Sequence, residues 1–310
     1  MCLTTKSGNT MAITENCEGF AASTKRKFLS NIGTGKVDIY FAMFAKRSYS
    51  SILLISLIIL FGFSIAGIGN ANVPTITAIN KVKWHDAGGE IPSNFDWREK
   101  NIMTPVKHQM NQGSCGVFAA VAVFESLIKK ETGKTVDLSE QQVINGSKDF
   151  LPSGISSVDA MKYIKQHGLV LEERLPYQDK KTEKMPDGPA DYILTDYHYV
   201  QTDKLTLVDK IKTIKRAVLK HGPVATNMIF YQDLDRYKNG IYVYDGKSDE
   251  QGGHWVVIIG WKDDQDAENG GYWVCRNSWG PKWGEDGYFK IAYGQCGIDD
   301  FWFVYGIYEL

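Results

Sequence analysis

The sequence lacks an excess of charge of either sign. Lysine plus arginine number 35 and aspartate plus glutamate 36, a formal net charge of −1. Nothing in that balance would draw nucleic acid or an anionic membrane surface. Cysteine is scarce, five residues in 310, and no Cys/His cluster has ligand spacing, so no metal site is expected. No nucleotide cofactor is suggested, and no internal repeat or low-complexity tract occurs. Apolar residues make up 43% and charged residues 23%, which excludes global disorder and leaves material for one large core.

Long apolar runs are also scarce: there is one, residues 52–68, Ile-Leu-Leu-Ile-Ser-Leu-Ile-Ile-Leu-Phe-Gly-Phe-Ser-Ile-Ala-Gly-Ile. Lys46 and Arg47 precede it and Gly69-Asn-Ala71 follows. Basic, then apolar, then small is the order of a secretory signal ending near Ala71, with an uncleaved membrane anchor as the alternative. Met43 stands where such a signal starts. Residues 43–71 are therefore expected to be the signal peptide, and 1–42 an untranslated leader or a cytoplasmic tail. The protein is then secreted or held at the cell surface, and acts as a monomer. Residues 72–90 read as a short polar connector or propeptide, and 91–310 as the folded domain.

Within 91–310, helices come first. Apolar positions from Cys115 to Thr132 stop at Gly133, and Ser139-Glu-Gln-Gln142 reads as a capping box opening a second helix. Further helices are expected over 157–166 and 205–220, the last closed by Gly222-Pro223. Strands follow, rich in β-branched and aromatic residues: 224–230, 240–244, 255–261, 271–276, 287–293 and 301–308. This order predicts an α+β protein of two lobes with a cleft between them.

Such a cleft brings together residues distant in the chain. Cys115 opens a helix just after Gly113-Ser114, where unpaired N–H groups and the positive end of the dipole favour a thiolate. His254, 139 positions later in Gly252-Gly-His-Trp, is the candidate base. His221 reads as a helix cap, and His85, His108, His167 and His198 as surface residues. Asn277, in Asn-Ser-Trp-Gly280, has the carbonyl needed to orient an imidazole, and Trp279 is placed to shield that bond. Gln109, six residues before Cys115, carries an amide suited to donate to an oxyanion. Cys275 and Cys296 either pair as one disulfide in an exported protein or stand as buried thiols.

Asp96-Trp-Arg98, Gln109, Gly113-Ser-Cys115, Leu138-Ser-Glu-Gln141, Gly253-His254 and Asn277-Ser-Trp-Gly-Pro-Lys-Trp-Gly-Glu-Asp-Gly-Tyr288 together resemble the papain family of cysteine peptidases over residues 91–310, in a prokaryotic-type branch. The resemblance implies a papain-like two-lobe fold, a helical lobe beside an antiparallel β-barrel-like lobe. It implies Cys115 and His254 as the catalytic pair, Asn277 as orienter, Gln109 as oxyanion donor and polypeptides as substrates. Gly154, Gly252 and Gly253 would line the non-primed cleft, Trp279 and Trp283 would lie beside the site and on its primed side, and Asp300 and Phe301 would floor the main specificity pocket.

The sequence departs from that family in several places. Gly116 follows the nucleophile where tryptophan is usual. Gln112 replaces a customary cysteine whose partner would fall near Gly146. The usual long helical prosegment is shortened to 72–90, which is either a plug over the cleft or a plain linker. Hydrolysis of peptide bonds through a thioester is the leading expectation. The alternatives are acyl transfer to an amine by the same residues, or a surface peptide-binding module without chemistry.

Overall fold

In the computed structural model the described residues are 89–148, 154–301 and 303–309. The expected leader, signal segment and most of the connector lie outside them. Among the described residues no helix is long and apolar enough to cross a membrane.

Among the described residues four α-helices occur, all before the main run of strands: α1 (Cys115–Thr132), α2 (Glu140–Gly146), α3 (Ser157–His167) and α4 (Leu207–His221). Helix α1 is buried from Gly116 through Ile128 and closes at Gly133, whose N–H donates to the Lys129 carbonyl. Its sequence CGVFAAVAVFESLI alternates small and large apolar residues, so neighbours pack on every side of it. Helix α2 begins on Ser139, whose Oγ accepts from Gln142 N at 3.1 Å. Only half of the expected capping box forms. The Gln142 side chain turns away to Gly168 O (3.1 Å) and Val170 N (2.8 Å), and the Ser139 N–H is taken by Val170 O (3.0 Å). Tertiary partners have replaced the local one.

Eight strands form one sheet: β1 (Asn94–Asp96), β2 (Asp196–Tyr199), β3 (Val224–Tyr231), β4 (Ile241–Tyr242), β5 (Glu250–Asp263), β6 (Gly271–Arg276), β7 (Tyr288–Ala292) and β8 (Phe303–Ile307). Their order is β2-β8-β3-β5-β6-β7-β4, with β1 added to β5. The α+β class holds, but the barrel-like lobe does not close. Strands β2 and β4 stand at opposite ends of the order, and β4, two residues long, pairs parallel to β7. Strand β5 is the centre of the sheet. Its register to β6 skips Ile259, a bulge whose carbonyl accepts from Trp97 N at 3.1 Å. Strands β3, β5 and β6 lay Val224, Val256, Ile258 and Trp273 into the core that α1 also faces.

A buried charge cluster ties the approach to α1 into the helical lobe. Lys107 Nζ lies 2.8 Å from Glu125 Oε1, 2.6 Å from Asp137 Oδ1 and 3.0 Å from Glu140 Oε1, and it donates to Leu138 O at 2.8 Å. Glu125 is fully buried in the middle of α1; Thr104 Oγ1 (2.7 Å) and Leu138 N (2.9 Å) also donate to it. Burial drives Glu140 up to about 8 despite the nearby ammonium, because several carboxylates share that one cation. Removing Lys107 leaves carboxylates buried with no counter-charge, which costs about 3–5 kcal/mol. Lys107→Met should therefore lower the unfolding free energy obtained from urea titration by that amount, while Lys134→Met, at an exposed position just past α1, should change it little.

Candidate active site

The first turn of α1 and the strand β5 meet at the site. Cys115, partly exposed, is hydrogen-bonded through its thiol to the imidazole of His254, the residue that pairs with Met228 across the β3–β5 ladder. His254 is 4% exposed. Its Nε2 donates to Asn277 Oδ1 at 2.8 Å, leaving Nδ1 as the nitrogen toward sulfur. Asn277 follows β6 directly, and its Oδ1 also accepts from Ser278 N at 2.8 Å. Two donors on one oxygen fix the amide with its carbonyl toward the ring. Trp279 stacks on the imidazole at 4.9 Å between centroids, and Phe230, 5.9 Å from the imidazole, packs edge-on against Trp279 at 5.3 Å.

Burial alone would raise the Cys115 thiol. The hydrogen bond and charge of His254, with backbone hydrogen bonds at Trp255 and Gly116, outweigh it and hold the thiol below its ordinary value. Burial alone would lower His254, but Cys115, then Asn277 and the charge of Asp235, raise it. The two shifts describe one event, transfer of the thiol proton to the ring.

Gln109 sits in the turn before α1. Its Oε1 accepts from Ser278 Oγ at 2.6 Å and its Nε2 donates to Gln112 O at 3.0 Å. The same stretch is laced to the β6 side: Gln109 N donates to Ser278 O (2.8 Å), Gly280 N donates to Lys107 O (3.0 Å), and His108 bridges Trp279. Residues 107–109 and 278–280 thus form a short ladder between the lobes, holding the Gln109 amide beside Cys115.

The expected cleft residues are placed as follows. Gly252 (φ +112°) and the exposed Gly253 immediately precede His254 on β5, with the Asn227 amide over Gly253. Trp283 stands edge-on to Trp279 at 4.9 Å. Gly154 packs on the turn itself: a Cβ there, at φ +84°, would lie 1.8 Å from Gly113 O. Asp300 is exposed and ion-paired with Lys210 of α4. The other expected surface histidines within the described residues, His108, His167 and His198, are exposed, and His221 ends α4 stacked on Tyr305.

The Cys275–Cys296 bridge is not formed; both are free thiols, as is Cys115. Cys275 is fully buried on β6, opposite Ile258 and Phe289. Cys296 lies in a 3₁₀ turn at φ +53° and hydrogen-bonds the Tyr242 hydroxyl. The two sulfurs serve different neighbours. Burial pushes Cys275 well above the ordinary thiol range and Cys296 up to about 12.

Gly116 has a structural reason. A Cβ there would meet Ile155 O at 2.1 Å and the Ser157 N at 3.0 Å, because the N-terminus of α3 packs directly on that backbone. Ser157 Oγ donates to Gly116 O at 2.8 Å. On the far side of α2, Gly146 abuts Tyr163, whose hydroxyl would be 2.1 Å from an added Cβ. Ser278, Phe230, Ser114 and Tyr177 also shape the site and were not expected from the sequence. Ser278 and Ser114 had a signal, their places inside the Asn277-Ser-Trp-Gly280 and Gly113-Ser-Cys115 motifs.

A family profile described as "Papain family cysteine protease" matches residues 91–305. The chain belongs to the papain family. Among curated relatives, procathepsin L of Rattus norvegicus is 35% identical over 218 residues, covering 67% of this chain and 64% of its own length. Cathepsin L2 of Homo sapiens is 33% identical with the same coverage. The oryzain beta chain of Oryza sativa subsp. japonica is 34% identical over 69% of this chain and 46% of its own. The chain thus spans slightly under two thirds of the length of the cathepsin relatives. A solved structure of the bromelain protease from Ananas comosus, in complex with the E64 inhibitor, superposes with a TM-score of 0.60 at 30% identity, covering 71% of this chain and 100% of that one. Digestive procathepsin L2 of Tenebrio molitor gives 0.63 at 29%, covering 72% and 70%. These papain-family relatives are animal and plant proteins and do not bear on a prokaryotic-type branch.

Two outcomes follow from this geometry. Gly116→Ala forces the α1 and α3 backbones apart and should cost about 1–3 kcal/mol, read in thermal unfolding. The direction of the Cys115 and His254 shifts also sets a pH dependence. The pair is charged above the lowered thiol pKa and below the raised imidazole pKa. Iodoacetamide should alkylate Cys115 at pH values well under the free-thiol range of about 8.5, and His254→Ala should move the reactive limb up into that range.

Proposed function

We propose that the protein is an exported cysteine peptidase that cleaves peptide bonds in polypeptide substrates through Cys115, His254 and Asn277. The observation that carries this reading is the hydrogen-bonded line from the Cys115 thiol through His254 to Asn277 Oδ1, with thiol lowered and imidazole raised. Family membership supports the reaction class. Export rests on the basic, apolar and small residues between Lys46 and Ala71.

In this reading the Cys115 thiolate attacks the scissile carbonyl, and the carbonyl π electrons move onto oxygen. Gln109 Nε2 and the Cys115 N–H donate to that oxygen. The His254 imidazolium gives its proton to the leaving amine, and a thioester to Cys115 remains. Neutral His254 then takes a proton from water as it attacks the thioester. The tetrahedral adduct collapses with expulsion of sulfur, releasing the acid and restoring the charged pair. Asn277 keeps the ring aimed throughout, and the Trp279 face excludes water from the Nε2 hydrogen bond. Gly252 with open space beside it, Gly253 under the Asn227 amide and Gly154 against the Gly113 carbonyl serve the non-primed side of a substrate, while Trp279 and Trp283 form an aromatic wall for the primed side.

A peptidyl epoxide, which alkylates an activated thiol held in a peptide-binding cleft, tests the reading. One covalent adduct is expected on the protein by mass spectrometry, and none on Cys115→Ala; an unmodified parent would sink the peptidase reading. Gln109→Ala should lower kcat about 10²–10³-fold, the usual loss for one oxyanion donor, while leaving KM within a few-fold.

A further inference from the structure

The turn that presents the oxyanion donors has little to hold it from within. Met110 adopts φ +55° and is 54% exposed, and residues 110–113 make no helix or strand. Yet the peptide of Gln112 is the hinge of the arrangement. Its carbonyl accepts from Gln109 Nε2 at 3.0 Å and from Ser114 N at 2.7 Å, so it sets both the glutamine amide and the residue that leads into Cys115.

What fixes the adjoining 111–112 peptide, and with it the Gln112 backbone, is a carboxylate from elsewhere in the chain. Asp179 Oδ1 accepts from Gln112 N at 2.9 Å and from Asn111 N at 3.0 Å, and its Oδ2 accepts from Asn111 Nδ2 at 3.2 Å. Three donors on one anion make charge-assisted hydrogen bonds to a turn whose N–H groups point outward together. The anchor itself is well tied. Gln178 N donates to Gln141 Oε1 (2.9 Å) and Gln141 Nε2 donates to Lys180 O (2.8 Å), which straps residues 178–180 to α2. Beside it the Tyr177 hydroxyl donates to Gln109 O at 2.6 Å and lies 3.1 Å from Ser114 Oγ.

We propose that Asp179 is a positioning residue for the reaction, holding the 109–114 turn so that Gln109 and the Cys115 N–H converge on the oxyanion; this rests on the peptidase reading above. It acts where Gln112 stands in place of a customary cysteine, so hydrogen bonds to a carboxylate perform a tethering task without a covalent link. Asp179 is held at φ +52°, a conformation that is uncommon for an aspartate and is retained here because its side chain is committed to the turn.

The test compares the full chain with Asp179→Ala, Asp179→Asn, Gln109→Ala and the double variant Asp179→Ala/Gln109→Ala. Three quantities are read: steady-state hydrolysis of a peptide anilide, iodoacetamide alkylation of Cys115, and thermal unfolding. Alkylation displaces iodide and develops no oxyanion, so it reports the thiolate without the turn. Asp179→Ala is expected to lower kcat about tenfold with KM changed less than twofold and the alkylation rate unchanged, since small misplacements of reacting groups carry large rate penalties. Asp179→Asn, which retains the acceptor oxygen, should recover part of the loss, and it decides the matter if the alanine variant fails to fold. In the Gln109→Ala background the Asp179→Ala effect should largely vanish, as expected for residues acting through one another. Unchanged kcat in Asp179→Ala, equal losses in hydrolysis and alkylation, or full additivity in the double variant would each overturn the proposal. A parent that neither hydrolyses the anilide nor alkylates faster than a free thiol would instead overturn the peptidase reading beneath it.

Discussion

Helix α1 is the constraint around which the rest is arranged. It is buried from its second residue to its fourteenth, so its position cannot relax without opening the core on both sides. The sheet packs on one flank through β5, and α3 approaches so closely at the first turn that no side chain fits at position 116. The buried carboxylate of this helix, Glu125, is admissible only because Lys107, Thr104 and the Leu138 N–H converge on it. Cys115 is the residue of α1 that immediately precedes this buried run. Packing energy gathered over the whole helix is thereby converted into the placement of one sulfur atom.

Strand β5 does the same for the partner. His254 lies in the β3–β5 ladder opposite Met228, three residues before β5 also begins to pair with β6, so its ring direction is set by sheet register rather than by a loop. The ladder between 107–109 and 278–280 then ties the lobes together next to Cys115 and Asn277. The acid–base character of Cys115 and His254 follows from this placement. Burial would drive both groups neutral, and each opposes that for the other: His254 holds the thiol below its ordinary value and Cys115 holds the imidazole above its own.

Much of this was legible in the sequence where one element carries its own signal. The α1 boundaries followed from apolar periodicity ended by Gly133, and β6 from a short aromatic and β-branched run after Asn269-Gly-Gly271. Strands β1 and β2 were not foreseen: they are three and four residues long, and Asn94-Phe-Asp96 is strand only because β5 offers it an edge. Strand β5 begins earlier than its apolar run because Glu250–Gly253 pair with the end of β3 by backbone alone. Cys115, His254, Asn277 and Gln109 were legible because their flanking motifs are specific. Asp179, Tyr177 and Phe230 were not, since each reaches the site by tertiary contact with no spacing rule to reveal it. The two spare cysteines show the limit of counting: the arithmetic permits a bridge, while the packing of Cys275 within the sheet and of Cys296 against Tyr242 gives each sulfur a separate environment.

The absence of any cystine among the described residues bears on the conditions the scaffold tolerates. A thiolate nucleophile survives only while reductant keeps it from being oxidised, and a cystine-braced scaffold would be weakened by that same reductant. Here the braces are hydrogen bonds, ion pairs and apolar contacts, none of which responds to redox potential. The medium that preserves Cys115 therefore leaves the rest of the domain untouched, and the sulfurs of Cys275 and Cys296, held protonated by burial, are poor competitors for oxidants. Reactivity and mechanical integrity are chemically independent in this molecule.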